Sequence, residues 1–278
     1  MLRRIIISVI LIPVIIYVIH ADFLASALLF CFILLLSFFG TTELYNLLKS
    51  VYGLEASRYA PVSAYLPGLI LITAYYINLF FKPAFLSILY IIAGCGLILL
   101  ISTGIRFRLR NRGLHFIVNT ACYIYTGIFP LSILILKQEA DGTILIYLLF
   151  FLGWLNDALA YFVGSFLGRT RGIIKYSPNK SLEGYLGSFI LTIGAVIGLR
   201  LLFMEKFPFD LTQSVVVGLV FSVCAPAGDI FESIVKRKAG FKDSSKFLPG
   251  LGGVLDIFDS ILMTAPFYYV VLKFIFKL

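Results

Sequence analysis

Charged side chains are scarce in this chain: Asp, Glu, Lys and Arg make up only 13% of its 278 residues, and histidine occurs twice. A soluble domain normally carries about twice that share of charge, so a freely soluble globule is excluded. Long polar linkers are missing as well, since no Ser-rich or Pro-rich stretch divides the sequence and no internal repeat is evident. The economical reading is a single membrane domain over residues 1–278. Cysteine is limited to Cys31, Cys95, Cys122 and Cys224, all inside apolar runs and without C-x-x-C spacing, which argues against a disulfide framework or a zinc site. His20 and His115 stand alone at the ends of such runs.

What fills the space is hydrocarbon: 60% of residues are hydrophobic and the mean hydropathy is +1.01. Apolar runs near the length that crosses a bilayer as a helix recur throughout. Nine are expected, roughly Ile5 to Ile19, Phe23 to Phe39, Val62 to Phe81, Ala84 to Ser102, Leu114 to Leu136, Thr143 to Leu167, Tyr185 to Met204, Leu211 to Gly228 and Ile257 to Phe276. The fold class is therefore all-α, a polytopic integral membrane protein. A cleaved signal peptide is the rival reading of the first run, which is short and contains Pro13; a second apolar run follows at once with no clear small-residue cleavage site.

Nine spans put the termini on opposite sides. With the N-terminus in the cytoplasm, seventeen of the 23 basic residues face inward, five (Lys82, Lys137, Lys206, Lys273, Lys277) face outward, and Arg200 lies near the outer end of a span. This asymmetry follows the positive-inside rule. The expected location is thus the cell inner (plasma) membrane, with the polar C-terminal clusters on the cytoplasmic side. The net charge of +9 is scattered over inner loops, with RFRLRNR (Arg106 to Arg112) as the clearest anchor, so it suits an anionic leaflet and not a nucleic acid.

Polar chemistry is distributed unevenly. Residues 1–142 read mainly as scaffold helices, and residues 143–278 carry three clusters: WLNDALAYFVGSFLG from Trp154, KYSPNKSLEGYLG from Lys175, and Gly228 to Ser260. Asp157 interrupts an apolar span, where an ionisable group costs a few kcal/mol unless it is paired or faces water. Gly164 and Gly168 form a small-xxx-small pattern suited to close helix packing. Ser177-Pro178-Asn179-Lys180-Ser181 supplies a rigid turn, two hydroxyls and an ammonium, a set that can grip a phosphate.

In the third cluster Asp229 ends an apolar span and begins GDIFESIVKR, where helical spacing brings Asp229, Glu232, Ser233 and Lys236 near one face. Lys238, Lys242, Asp243 and Lys246 follow, then Pro249-Gly250-Leu251-Gly252-Gly253, which a helix interior does not tolerate. Such a turn lets backbone N–H groups approach a phosphate ahead of the next helix. Asp256 and Asp259 lie three apart on that helix. Carboxylates from two helices beside lysines suit a magnesium-bound triphosphate; an inner loop whose acids and bases merely pair with one another is the blander alternative.

At these residues the sequence resembles the phosphatidate cytidylyltransferases (CDP-diacylglycerol synthases). The family pattern S-x-x-K-R-x4-K-D, followed by P-G-H-G-G-x-x-D-R-x-D-S, reads here as Ser233, Lys236-Arg237, Lys242-Asp243, Pro249-Gly250-Leu251-Gly252-Gly253, Asp256 and Asp259-Ser260. Upstream, W-x-x-D-x-x-A-Y matches Trp154, Asp157, Ala160 and Tyr161, and S-P-x-K-S-x-E-G matches Ser177-Pro178, Lys180-Ser181 and Glu183-Gly184. Leu251 and Ile257 replace the His and Arg usual in the family.

The resemblance implies transfer of a cytidylyl group from CTP to phosphatidate of the inner leaflet, giving CDP-diacylglycerol and pyrophosphate. It implies magnesium on Asp229 and Asp256, room for a second cation, and Asp259 as a further ligand or supporting group. Lys236, Arg237 and Lys242 are expected to hold the triphosphate, with Ser177, Lys180, Ser181, Gly252 and Gly253 at its phosphates and Asp157, Ser233 and Asp243 in support. A homodimer is the family expectation. Three alternatives stay open at this point: a polyprenol-kinase-like enzyme releasing CDP, a divergent or non-catalytic relative, and a transporter using Asp157 and Asp229 as ion sites.

Overall fold

The computed structural model describes residues 2–21, 26–54, 60–80, 92, 94–96, 111–204, 207–248 and 250–277. Among these the regular structure is helical: α1 (Leu2–His20), α2 (Ala27–Tyr52), α3 (Ala60–Leu79), α4 (Arg112–Cys122), a π-helical stretch (Tyr123–Ile128) that continues into α5 (Phe129–Lys137), α6 (Gly142–Phe166), α7 (Leu182–Phe203), α8 (Leu211–Lys238) and α9 (Leu255–Val270), which ends in a second π-helical stretch (Val271–Ile275). Among the described residues seven helical segments are long and apolar enough to cross a membrane. They correspond to seven of the nine expected spans. The first expected span is a helix whose described apolar part, Val9–His20, is shorter; the span from Ala84 to Ser102 and the run Arg106 to Arg110 fall almost wholly outside the described residues.

Two helices run further than their hydropathy. The second span was expected to end at Phe39, yet α2 continues to Tyr52. The polar residues at its middle do not open the backbone, because their hydroxyls are satisfied: Thr42 Oγ donates back to the Phe38 carbonyl at 2.8 Å and Thr41 Oγ pairs with Thr126 Oγ of the π-helical stretch at 2.6 Å. The helix stops where Gly53 turns left-handed (φ 58°) and Leu54 N–H caps the Lys49 carbonyl at 3.0 Å. Likewise α8 passes through Gly228 without a break and keeps Asp229, Glu232 and Lys236 on one continuous helix.

By their internal contacts the residues form two compact units. The first comprises Met1–Leu134 with Lys238–Asp256, the second Ile135–Arg237 with Ile257–Leu278. In the first, α3 approaches the π-helical stretch so closely that a Cβ on Gly127 would lie 2.9 Å from the Gly68 Cα, and Asn119 Nδ2 donates to Ser63 Oγ at 2.9 Å. In the second, α6 and α7 cross at Gly164 and Gly184, where a Cβ on Gly184 would lie 2.8 Å from the Ala160 carbonyl oxygen. Gly164 thus serves close packing, as the small-xxx-small spacing suggests. Asn156 Nδ2 donates to Thr192 Oγ at 2.9 Å within the same crossing.

Candidate active site

The second unit gathers acids and bases from three helices and one loop. Lys180, on the loop between α6 and α7, forms an ion pair with Asp229 Oδ2 of α8, the two side chains being 30% and 25% exposed. Its ammonium also lies 5.5 Å from the centre of the Tyr185 ring. Burial opposes the charge on Lys180, but the adjacent Asp229 carboxylate outweighs it and holds the ammonium above the ordinary value of 10.5. Since the folded value is raised, the pair's stabilisation is complete at neutral pH and fades only above the ordinary lysine range. Thermal midpoints of the detergent-solubilised protein measured between about pH 7 and 9 should therefore show no loss that Lys180→Met abolishes; a loss confined to the native lysine would contradict this electrostatic account.

Around this pair stand three further carboxylates. Asp157 of α6 accepts from Ser260 Oγ at 2.8 Å. Asp259 of α9 is 6% exposed, accepts from Ser260 N–H at 2.6 Å, and lies within electrostatic reach of Asp157, Asp229 and Glu232. Glu232, 2% exposed, pairs with Lys236 at 2.8 Å one turn further along α8. Ser233 is half-buried and Arg237 exposed.

Next to Lys180 opens a cavity of about 350 Å³ whose walls include Asp157, Tyr161, Arg171, Asn179, Lys180 and Tyr185. The Tyr185 hydroxyl is buried with no hydrogen-bond partner among the described residues. Ser177 begins the turn that delivers Lys180, whose N–H donates to the Ser177 carbonyl at 3.2 Å. Ser181 is buried and caps α7, its Oγ accepting from Gly184 N–H at 3.1 Å.

The first unit holds a second assembly, built on the glycine turn. Leu248 and Gly252 exchange backbone hydrogen bonds of 2.8 and 3.0 Å, and Gly250 and Gly252 take φ of 90° and 99°, a region that favours glycine. Pro249 lies outside the described residues. Asp256 Oδ2 accepts from Ser244 N–H at 2.7 Å, Ser244 Oγ at 2.8 Å and Gly253 N–H at 2.7 Å. Expected to face a phosphate, the N–H of Gly253 instead meets a carboxylate and that of Gly252 meets the Leu248 carbonyl. Lys242 and Asp243 are exposed on the wall of a cavity of about 360 Å³, shared with Lys246, Asn46 and Phe241.

One residue of this assembly was not foreseen. Glu43 of α2, 6% exposed, accepts Val254 N–H and Leu255 N–H, each at 2.9 Å, together with Ser244 Oγ at 2.9 Å and Ser245 Oγ at 2.7 Å. Little in the sequence signals it, because Glu43 follows Gly40-Thr41-Thr42 beyond the expected end of the span at Phe39.

The structure thus brings Asp157, Lys180, Asp229, Glu232, Lys236 and Asp259 together in one unit, and Lys242, Asp243, Gly252, Gly253 and Asp256 in the other. Of the two departures from the family pattern, Ile257 offers its carbonyl to Trp154 Nε1 at 3.3 Å and Leu251 sits half-buried at the tip of the glycine turn.

A helical membrane protein that gathers carboxylates and lysines from its helices and loops defines the class. Family membership follows from the sequence comparison: the chain belongs to the cytidylyltransferase family, whose sequence model matches residues 2–275. It is 32% identical over 157 residues to a phosphatidate cytidylyltransferase of Aquifex aeolicus, covering 56% of this chain and 57% of that one. It is 40% identical over 131 residues to one of Thermotoga maritima (43% and 46%), and 35% identical over 154 residues to one of Bacillus subtilis (55% and 56%). The matches span about half the length of these curated relatives.

Proposed function

We propose that this chain transfers the cytidylyl group of CTP to phosphatidate, forming CDP-diacylglycerol and releasing pyrophosphate. The observation that carries the reading is the assembly around Lys180: four carboxylates (Asp157, Asp229, Glu232, Asp259) against two ammonium groups (Lys180, Lys236), beside a cavity with a buried, unpartnered tyrosine hydroxyl. The relatives' identity as phosphatidate cytidylyltransferases supports the same reading.

In this reaction an oxygen of the lipid phosphate attacks the α-phosphorus of CTP, and the bond to the bridging oxygen of the leaving pyrophosphate breaks. A phosphate monoester has a second pKa near 6, so the nucleophile is already ionised and needs no strong base. Positioning and charge neutralisation remain the tasks of the protein. Lys180, held charged by Asp229, is suited to fix a phosphate oxygen in its cavity, where Arg171 and the Tyr185 hydroxyl add donors. Lys242 and Arg237 are both exposed; their triphosphate role is what the family resemblance implies, while Lys236 supports Glu232.

The residues fit magnesium in charge and chemistry. The carboxylate surplus in the Lys180 assembly leaves two formal negative charges, and its donors are hard oxygens. Among the described residues no three His, Cys, Asp or Glu side chains are grouped so as to hold a metal ion; magnesium itself takes one or two carboxylates, with phosphate and water oxygens at its other positions. We assign it to Asp229 and Asp259, with Asp256, expected from the sequence as a ligand, anchoring the glycine turn. When bound, magnesium supplies charge neutralisation of the phosphates.

The reading further places the site on the cytoplasmic side of the inner membrane, supported by the basic inner loops, with phosphatidate drawn from the inner leaflet. The homodimer rests on the family resemblance. The test is pyrophosphate release by the purified, detergent-solubilised chain given CTP, magnesium and phosphatidate. Release that requires the lipid and fails with ATP is expected. CDP in place of pyrophosphate would move the assignment to γ-phosphoryl transfer, and no nucleotide turnover by folded protein would overturn it.

A further inference from the structure

We propose that Glu43 is a positioning residue for nucleotide binding: its buried carboxylate fixes the segment from Ser244 to Leu255, together with Asp256 that anchors the glycine turn, and so sets where Lys242 acts. The inference rests on the proposed reaction for its functional meaning and on geometry for its substance. An ionised carboxylate offers about four lone-pair positions. In Glu43 four donors meet them, Ser245 Oγ and Val254 N–H on Oε1, Ser244 Oγ and Leu255 N–H on Oε2, at 2.7 to 2.9 Å. The carboxylate of Glu43 is thereby committed to the chain it holds, with the Ser244 hydroxyl shared.

What the carboxylate holds is specific. Val254 and Leu255 supply N–H groups at the start of α9, so Glu43 caps the helix that carries Asp256 with a negative charge at its positive end. Ser244 Oγ lies 2.9 Å from Glu43 Oε2 and 2.8 Å from Asp256 Oδ2, with one proton to share. The position of Asp256 is tied to Glu43 through that hydroxyl. Gly253 packs directly against this network, since a Cβ there would lie 2.5 Å from both Glu43 oxygens and closer still to Ser244 Oγ. Lys242 and Lys246 flank the two serines and, with them, line the cavity of about 360 Å³; the anchored chain is the one that presents both ammonium groups to an anionic ligand such as a nucleoside triphosphate.

Glu43→Gln keeps the shape but turns one oxygen into a donor, so either the Val254 or the Leu255 N–H loses its acceptor. The serine hydroxyls can rotate; the backbone cannot. The full chain in detergent, assayed with CTP and phosphatidate, should show a KM for CTP raised about tenfold or more, with the KM for phosphatidate unchanged. Amide hydrogen exchange at Val254 and Leu255, measured without substrate, should be faster. A purely structural role would lower the fraction of active enzyme and leave both KM values intact, and that result overturns the proposal. If Glu43→Gln does not fold, Ser245→Ala removes one of the four bonds and should give a smaller rise in the same KM; no rise overturns it equally. Should the native chain turn over no CTP at all, the reaction falls by that result alone, and unchanged exchange at Val254 and Leu255 in Glu43→Gln separately overturns the anchoring role.

Discussion

Asp229→Asn should lower lipid-dependent pyrophosphate release about 10²- to 10³-fold in protein that still folds and inserts. Asp229 is the acid in direct contact with Lys180 and one of two to which magnesium is assigned here. The substitution removes one of the two carboxylates to which magnesium is assigned and frees the ammonium to swing toward Asp157, which shares its field. Removing a single preorganised charge stabiliser costs about 3 to 4 kcal/mol in the transition state, equivalent to that rate loss. The fold has less at stake: both side chains of the pair reach solvent, asparagine keeps the volume and an acceptor, and Lys180 retains the Tyr185 ring beneath it. The measurement is kcat at saturating CTP and lipid, together with the thermal midpoint. Activity within tenfold of the native chain would remove Asp229 from the chemistry.

Most of the spans were legible because hydrocarbon length is a one-dimensional property. Where legibility failed, the cause was a partner distant in sequence. The expected end of the second span at Phe39 placed Glu43 outside it, in a polar stretch with no assigned task; the helix runs on because Thr41 and Thr42 satisfy their hydroxyls on Thr126 and on the preceding turn. All four donors to Glu43 come from residues about 200 positions later, for which no spacing rule exists. The glycine turn shows the converse. Its composition correctly signals a tight backbone, yet whether its N–H groups meet a phosphate or a carboxylate depends on which acceptor is already beside them, and Asp256 and Glu43 are there first. Asp157, by contrast, was legible because its span was bounded correctly and the cost of burying an acid applies wherever it falls.

Gly228→Ala tests whether the acid assembly depends on backbone contact between α8 and α9. A Cβ at Gly228 would fall on the Asp259 carbonyl oxygen, 2.9 Å from its carbon and 2.8 Å from the Met263 Cβ. The first obstacle is helix backbone, which cannot rotate away, so the helices must separate. Overpacking of this kind costs about 1 to 3 kcal/mol, or a fall of several degrees in thermal midpoint for a chain of this size. The site should suffer more than the fold, because Asp229 follows Gly228 directly and Asp259 supplies the atoms being pushed. A displacement of about 1 Å can cost 10²-fold in rate, so activity should drop about a hundredfold or more while the protein still inserts. Gly194→Ala and Gly198→Ala on α7, where an added Cβ meets nothing within 4 Å, provide the comparison; they should leave activity unchanged and match or slightly exceed the native midpoint, since alanine favours helix over glycine. Equal behaviour of all three variants would show that α8 and α9 adjust without moving the carboxylates. A selective loss at Gly228 would show that the spacing of Asp229 and Asp259 is set by this one missing side chain.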